Sequence, residues 1–302
     1  MNPALLPVVV LLATAAPAPP PADAGLRSYV RARQVLDAGI AAHGGPAALL
    51  GVRSVRRQLT GGWTNPFQGP RPSALVGPSL AIPPILFPDE LLSFVDYAAG
   101  RWYERLEESN YSGDHVTQVD AIDGETGFDA LAYFDEKPIY RAFDAAEVRA
   151  TRSEKLRRYP EGALRMALTR PETLQWVGED EELRRRQQVI SLTDPAGTRV
   201  LLSFDAASGL LTKTAWLREH AVAGDTYGEN LYLDYRRVGG LMLPFHYVDR
   251  VGGLAWQHFT ASAIALDVDV PAESFQPPRD VAPAQRDPDE RTVEPLGGDA
   301  YL

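Results

Sequence analysis

The sequence predicts an α+β protein: a curled antiparallel half-barrel of about 10–11 strands with helices packed on its concave face. Two pairs, Gly239-Gly240 and Gly252-Gly253, separate three runs rich in aromatic and β-branched residues within 224–275. Glycine adopts the positive φ angles of tight hairpin turns, so this region is predicted to be a three-stranded meander. Apolar residues recur at helical spacing within 27–43 and 144–178, and this pattern predicts the helices.

The N-terminal helix is predicted to end at Gly44-Gly45, and a short helical turn then leads into a first strand at 54–59. The central insertion, 144–186, is predicted to be mainly helical, with breaks at Pro160 and Pro171.

Alternating apolar and polar residues predict the other strands before the closing meander. These stretches are 91–97, 101–108, 115–122, 127–135, 187–194, 198–205 and 210–219. The stretch 61–90 is rich in proline and glycine and predicts a long irregular loop.

Composition limits the classes of function. The chain has 302 residues, of which 45% are hydrophobic and 23% charged, as in a soluble globular protein. Its formal net charge of −10 argues against nucleic acid as a partner. The absence of cysteine excludes disulfides and thiolate metal sites.

The N-terminus predicts export. Leu5–Ala16 is an apolar run too short to span a bilayer. Ala22-Asp23-Ala24 fits the small-x-small pattern at which signal peptides are cleaved. We therefore expect a signal peptide at 1–24, a folded domain at 25–277 and a tail at 278–302, in the periplasm or secreted. No later apolar run predicts a transmembrane segment in the mature chain.

The order of elements over 27–277 resembles the LolA/LppX-like lipoprotein-carrier fold. The most similar piece is DYRRVGGLMLPFHYV, a strand and a Gly-Gly turn followed by Leu241-Met242-Leu243-Pro244, with Phe275 near the end. The resemblance implies that an acyl chain or another apolar ligand is held between sheet and helices.

A second resemblance is to the N-terminal region that precedes some bacterial metallo-β-lactamase-fold hydrolase domains. Its runs are LDAGIAAHGGPAALLGVRSV, TRPETLQWVGE, LSFDAASGLLTK and DYRRVGGLMLPF. In those proteins a strand similar to Val293–Leu302 leads into the hydrolase, and this sequence ends there. No hydrolase residue therefore has a matching position here.

No motif predicts a catalytic, metal or cofactor site. A metallo-β-lactamase centre needs a His-x-His-x-Asp-His cluster, which the five histidines do not form. His246 and His258 flank the Gly252-Gly253 turn, and a three-residue loop would place them opposite each other on one face. The sequence also has no nucleophile elbow, phosphate-binding loop or dinucleotide fingerprint.

Charged clusters favour solvated surfaces. Glu104, Glu107 and Glu108 are expected on an outer strand face, and 179–182 in an exposed turn. The pair Arg157-Arg158 is expected to aid solubility rather than to bind an anion.

Apolar strand residues give the stronger hypothesis, because a sheet of this length offers more concave surface than one helix covers. Each of them could instead belong to an ordinary core. The predicted cavity residues are Trp102, Leu106, Val200, Leu202, Phe204, Trp216, Leu231 and Leu233.

The sequence thus predicts an exported, non-catalytic binding protein whose partner is an apolar small molecule or lipid. The alternative is an accessory domain of a split or truncated metallo-hydrolase, with a separate hydrolase or envelope protein as its partner.

Overall fold

The computed structural model describes residues 23–63, 87–109, 115–133, 136–220, 224–279, 281–284, 295–297 and 300–301. The helices are α1 (Ala24–Ala42), α2 (Gly45–Gly51), α3 (Ala145–Arg158) and α4 (Pro160–Thr169). The first strands are β1 (Ser54–Trp63), β2 (Phe87–Asp96), β3 (Arg101–Ser109), β4 (His115–Asp123), β5 (Thr126–Tyr133) and β6 (Ile139–Ala142). They are followed by β7 (Gln175–Glu182), β8 (Arg185–Thr193), β9 (Arg199–Asp205), β10 (Leu211–His220), β11 (Gly224–Val238), β12 (Leu241–Val251) and β13 (Leu254–Leu266). A small hairpin, β14 (Pro295–Gly297) and β15 (Ala300–Tyr301), lies near the C-terminus.

Strands β1 to β13 form one antiparallel, open and curled sheet. Its order is β6-β5-β4-β3-β2-β1-β13-β12-β11-β10-β9-β8-β7. Two meanders are therefore joined where the first strand pairs with the last, with Val55 opposite Leu266. The predicted α+β half-barrel is confirmed, including the closing meander and its two Gly-Gly turns.

The main sheet has 13 strands rather than 10–11, because β6 and β7 were missed. Strand β7 occupies the end of the segment predicted to be helical and the acidic stretch predicted to be a turn. Trp176 explains the difference: its side chain packs on the core, and Ser28 Oγ hydrogen-bonds both its N–H and its carbonyl. Tertiary packing outweighs local pattern here. The turn lies at Leu183 and Arg184, both with positive φ.

The main core fills the space between the helices and one face of the sheet, which we call the inner face. Leu36 and Ile40 of α1, Leu164 of α4, and Ile122 and Leu202 of the sheet are all buried in this core. Apolar burial of this kind stabilises by about 25 cal/mol per Å².

The opposite, outer face of β2–β5 is covered by the chain that follows β13. Phe275 packs against Phe94 and Tyr103, and Arg101 lies over its ring. Further on, the N–H of Ala284 donates to a carbonyl of β6. No helix within the described ranges is long and apolar enough to cross a membrane.

Candidate functional site

Four of the predicted cavity residues lie in the main core. Trp102, Val200, Leu202 and Phe204 are between 0% and 3% exposed and face the helices. The close approach of α1 is visible at Gly39, where a Cβ would lie 2.4 Å from the Phe204 ring. These side chains are therefore covered by the protein itself.

Trp216 also faces inward, and the guanidinium of Arg157 lies 4.6 Å from its ring centroid. Arg157 in turn pairs with the buried Asp194 at 2.8 Å. The expectation that Arg157-Arg158 serves solubility is wrong, because both side chains are largely buried in ion pairs. Arg157 pairs with Asp194, and Arg158 pairs with Glu104 and Asp249.

Leu231 and Leu233 lie on the outer face. In the strand register Leu231 is opposite Lys213, whereas the neighbouring Tyr232 belongs to the main core. Tyr235, two residues after Leu233, packs instead on the main core. Asp234 lies between them with φ of 51°, which interrupts the two-residue alternation.

Leu106, the remaining predicted residue, lines a cavity of about 170 Å³ between the inner face and α3. The cavity combines an apolar strip with a charged wall. Its apolar strip is Leu91, Leu106 and Phe259, and its polar residues are Glu104, Gln118, Asp120, Lys155, Arg158 and Gln257. Contact of a ligand with any of the eight predicted residues stays a prediction.

Helix α3 positions the two cations of this wall. The helix begins with a capping box, in which the Asp144 carboxylate accepts from backbone N–H groups and Glu147 accepts from the N–H of Asp144. Lys155 and Arg158 follow in its last turn, three residues apart and therefore on one side. Both point at the sheet.

Glu104 is the shared partner of these cations. Lys155 Nζ lies 3.0 Å and Arg158 3.1 Å from its Oε2, and the Tyr159 hydroxyl donates to its Oε1. Arg158 also reaches Asp249 at 3.1 Å. Lys155 Nζ lies 4.1 Å from the centroid of Trp102, a cation–π contact.

The carboxylates of the site titrate differently. Burial alone would raise the pKa of Glu104, but Arg158 and Lys155 hold it below its usual value. Burial raises the pKa of Asp120 and of Asp249, and the nearby cations, Lys155 for Asp120 and both Arg158 and Lys155 for Asp249, do not offset it. Glu104 is thus the ionised anchor of α3.

The prediction that Glu104 and Glu108 lie on an outer face is wrong. Side chains alternate along a strand, so Glu104 and Glu108 share the inner face with Trp102 and Leu106. Only Glu107 of that group faces outward, where it pairs with Arg105 and His115. The alternation of side chains along the strand was the sequence signal that places both glutamates on the inner face.

His246 and His258 do not form an opposed pair. The Gly252-Gly253 turn has two residues, and a bulge near Arg250 places His258 opposite Val248. Their ring centroids are 6.3 Å apart on the outer face. Among the described residues there is no group of three or more His, Asp or Glu side chains placed to hold a metal ion.

Comparison with known proteins gives likenesses of fold. No family model and no curated protein sequence matches the chain. A LolA superfamily protein from Nitrosomonas europaea matches at TM-score 0.43 and 12% identity, over 82% of this chain and 97% of that one. A DUF1329 family protein from Desulfovibrio piger matches at TM-score 0.39 and 8% identity, over 81% and 97%. MucB matches at TM-score 0.24 and 11% identity, over 83% of this chain and 64% of its own. The matching structures thus include the LolA-like fold that the sequence resembles.

Proposed function

We propose that this chain is an exported, non-catalytic binding protein that holds a lipid, an acyl chain or another largely apolar molecule between its curled sheet and its helices. One observation carries the proposal: the cavity beneath α3 places the apolar strip of Leu91, Leu106 and Phe259 beside ionised side chains. An amphipathic molecule matches such a surface, with its tail on the strip and its polar end among the charged side chains that flank it.

The volume constrains how such a ligand fits. At about 170 Å³ the cavity equals roughly five or six water molecules at about 30 Å³ each. Pockets that enclose drug-sized ligands are typically about 300–1,000 Å³. A longer tail would therefore extend past the cavity or displace α3.

Helix α3 is suited to such movement. Only Val148, Ser153 and Arg157 are buried within it, whereas α4 is buried along most of its length. Helix α3 meets the cavity through ion pairs, and Lys155 and Arg158 each have two carboxylate partners. We infer that α4 is a fixed plug and α3 the element that yields to a ligand.

Displacement of a fluorescent fatty-alcohol probe by dodecanol tests the proposal. Leu106→Trp should fill the cavity and weaken probe binding by at least about tenfold, or about 1.4 kcal/mol. Leu217→Trp is the matched control, since Leu217 is 58% exposed. Absence of probe binding, or equal affinity of both variants and the parent, would contradict the proposal.

A further inference from the structure

Asp89 on β2 is a buried carboxylate without a partner. It is 3% exposed, and neither of its oxygens accepts a hydrogen bond within the described part of the chain. Burying an ionised carboxylate without a hydrogen bond or a counter-charge costs several kcal/mol. Such a group is unusual in a folded interior and points to a missing partner.

Strand register places Asp89 next to the cavity. It lies two residues before the cavity-lining Leu91 and therefore on the same face. Glu108 is its cross-strand neighbour on β3, just as Leu106 is the neighbour of Leu91. The Asp89–Glu108 pair is thus the next row of the inner face beyond the apolar strip.

On its other side Asp89 is opposite Gly61, which presents no side chain. A Cβ at Gly61 would lie 1.9 Å from the carbonyl oxygen of His258, so the close pairing of β1 with β13 requires glycine there. Gly61 is also opposite Phe259, another cavity-lining residue. The position paired with Asp89 on β1 therefore carries no side chain that could contact its carboxylate.

The two cations that line the cavity within the described residues, Lys155 and Arg158, are already engaged. Lys155 contacts Glu104 and Asp120, and Arg158 contacts Glu104 and Asp249. The charged groups that line the cavity, pair with its lining or occupy the next row are Asp89, Glu104, Glu108, Asp120, Lys155, Arg158 and Asp249. Helix α3 also carries Glu154 and Arg152, and the buried Nε and Nη2 of Arg152 have no hydrogen-bond partner among the described residues. Carboxylates exceed cations in this set, which disfavours an anionic ligand.

We propose that the inner face beneath α3 binds a cationic amphiphile, whose apolar tail lies in the cavity along Leu91 and Leu106 and whose primary ammonium pairs with Asp89 in the row beside the cavity. The inference rests on the proposed function and specifies its ligand class. An ammonium brings three N–H donors to the oxygens of Asp89 and Glu108, and its tail covers Leu91 and Leu106. A hard metal ion would require six or more oxygen ligands and would leave the apolar strip uncovered.

The ammonium must meet an ionised carboxylate, so its binding depends on pH. Burial, with a smaller contribution from Glu108, raises the pKa of Asp89 to about 7. Affinity for the ammonium should therefore rise as pH increases through about 7, while affinity for a neutral alcohol of equal length should not.

Calorimetric titration at pH 8 of dodecylammonium below its micellar concentration and of dodecanol below its solubility limit tests the inference. The parent chain should bind the ammonium at least about tenfold more tightly than the alcohol. Asp89→Asn should remove that preference and keep alcohol binding. Glu125→Gln, an equal loss of charge in an exposed turn, should leave the preference unchanged.

The outcomes separate the two proposals. Alcohol binding without an ammonium preference, or a preference that survives Asp89→Asn, overturns the cationic inference alone. Failure of both ligands to bind the parent chain overturns the proposed function together with this inference. Melting curves of the variants establish that they are folded. An affinity of the parent chain for the ammonium that does not change between pH 6 and pH 8 also contradicts the pairing of the ammonium with Asp89.

Discussion

Single residues fix the plug of the half-barrel through a buried ion pair. Arg57 of β1 pairs with Glu161 at the start of α4, at 0% and 2% side-chain exposure. Tyr97 donates to the same glutamate at 2.9 Å, and the Arg57 guanidinium lies 4.0 Å from the ring centroid of Tyr159. Removing one partner from such a pair leaves an uncompensated charge in the interior.

Glu161→Gln is therefore expected to lower the free energy of unfolding by about 3–5 kcal/mol. Denaturant unfolding followed by circular dichroism measures this loss. Asp269→Asn removes the partner of the solvent-exposed Arg53 and should leave the midpoint nearly unchanged. Equal effects of the two substitutions would contradict the role given to the buried pair.

Asp89 should make stability depend on pH. Its pKa is about 7 in the folded chain against an ordinary value of 3.8, so the folded state binds the proton more tightly than the unfolded state. Its contribution to stability is complete below about pH 4 and is lost as pH rises toward 7, at up to about 1.4 kcal/mol per pH unit.

The stability of Asp89→Asn relative to the parent should accordingly increase between pH 4 and pH 7 and then level off. Urea midpoints of both proteins measured across that range check the slope. A difference that stays constant with pH would show that Asp89 titrates normally.

At the scale of elements, α3 and α4 are adjacent in sequence but differ in how they are held. Helix α4 carries the buried Ala163, Leu164 and Ala167, whereas α3 contacts the cavity through Lys155 and Arg158. Apolar packing fixes α4 in place, and α3 depends on the charge of Glu104.

Glu104→Gln should speed amide hydrogen exchange in α3 by about tenfold or more and leave α4 unchanged, because Lys155, Arg158 and Tyr159 lose a charged acceptor. Exchange measured by mass spectrometry resolves the two helices. Glu107→Gln, on the other face of the same strand, is the control. Unaltered exchange in α3 would refute the dependence.

Elements with strong local signals were predictable, and those set by distant contacts were not. The helix at 27–43 and the Gly-Gly hairpins follow from period and turn chemistry. Strand β7 depends on Trp176 meeting α1, more than a hundred residues earlier. Likewise, the residues that line the cavity are the inner-face side chains that α3 and α4 leave uncovered. The pattern of apolar residues along the sequence does not predict which side chains those are.

The two halves of the described sheet form one unit because they share a seam and a core. The pairing of β1 with β13 joins the first half of the sheet to the last. The main core contains Trp102 from one half and Leu202 from the other, with α1 and α4 between them. Neither half can bury its inner face alone.

Unfolding should therefore be a single cooperative transition. The chain has no cysteine, so fluorophores on Glu125→Cys and Glu181→Cys report separately on the two halves. Their denaturant midpoints should coincide. Two distinct midpoints would divide the sheet into separate folding units.

Native mass spectrometry of the protein purified from cells that export it tests the binding role most directly. The account predicts an adduct of lipid size on the parent chain that is lost in Leu106→Trp and retained in Leu217→Trp. A parent chain that carries no adduct, and acquires none when incubated with dodecylammonium or dodecanol, would contradict the account.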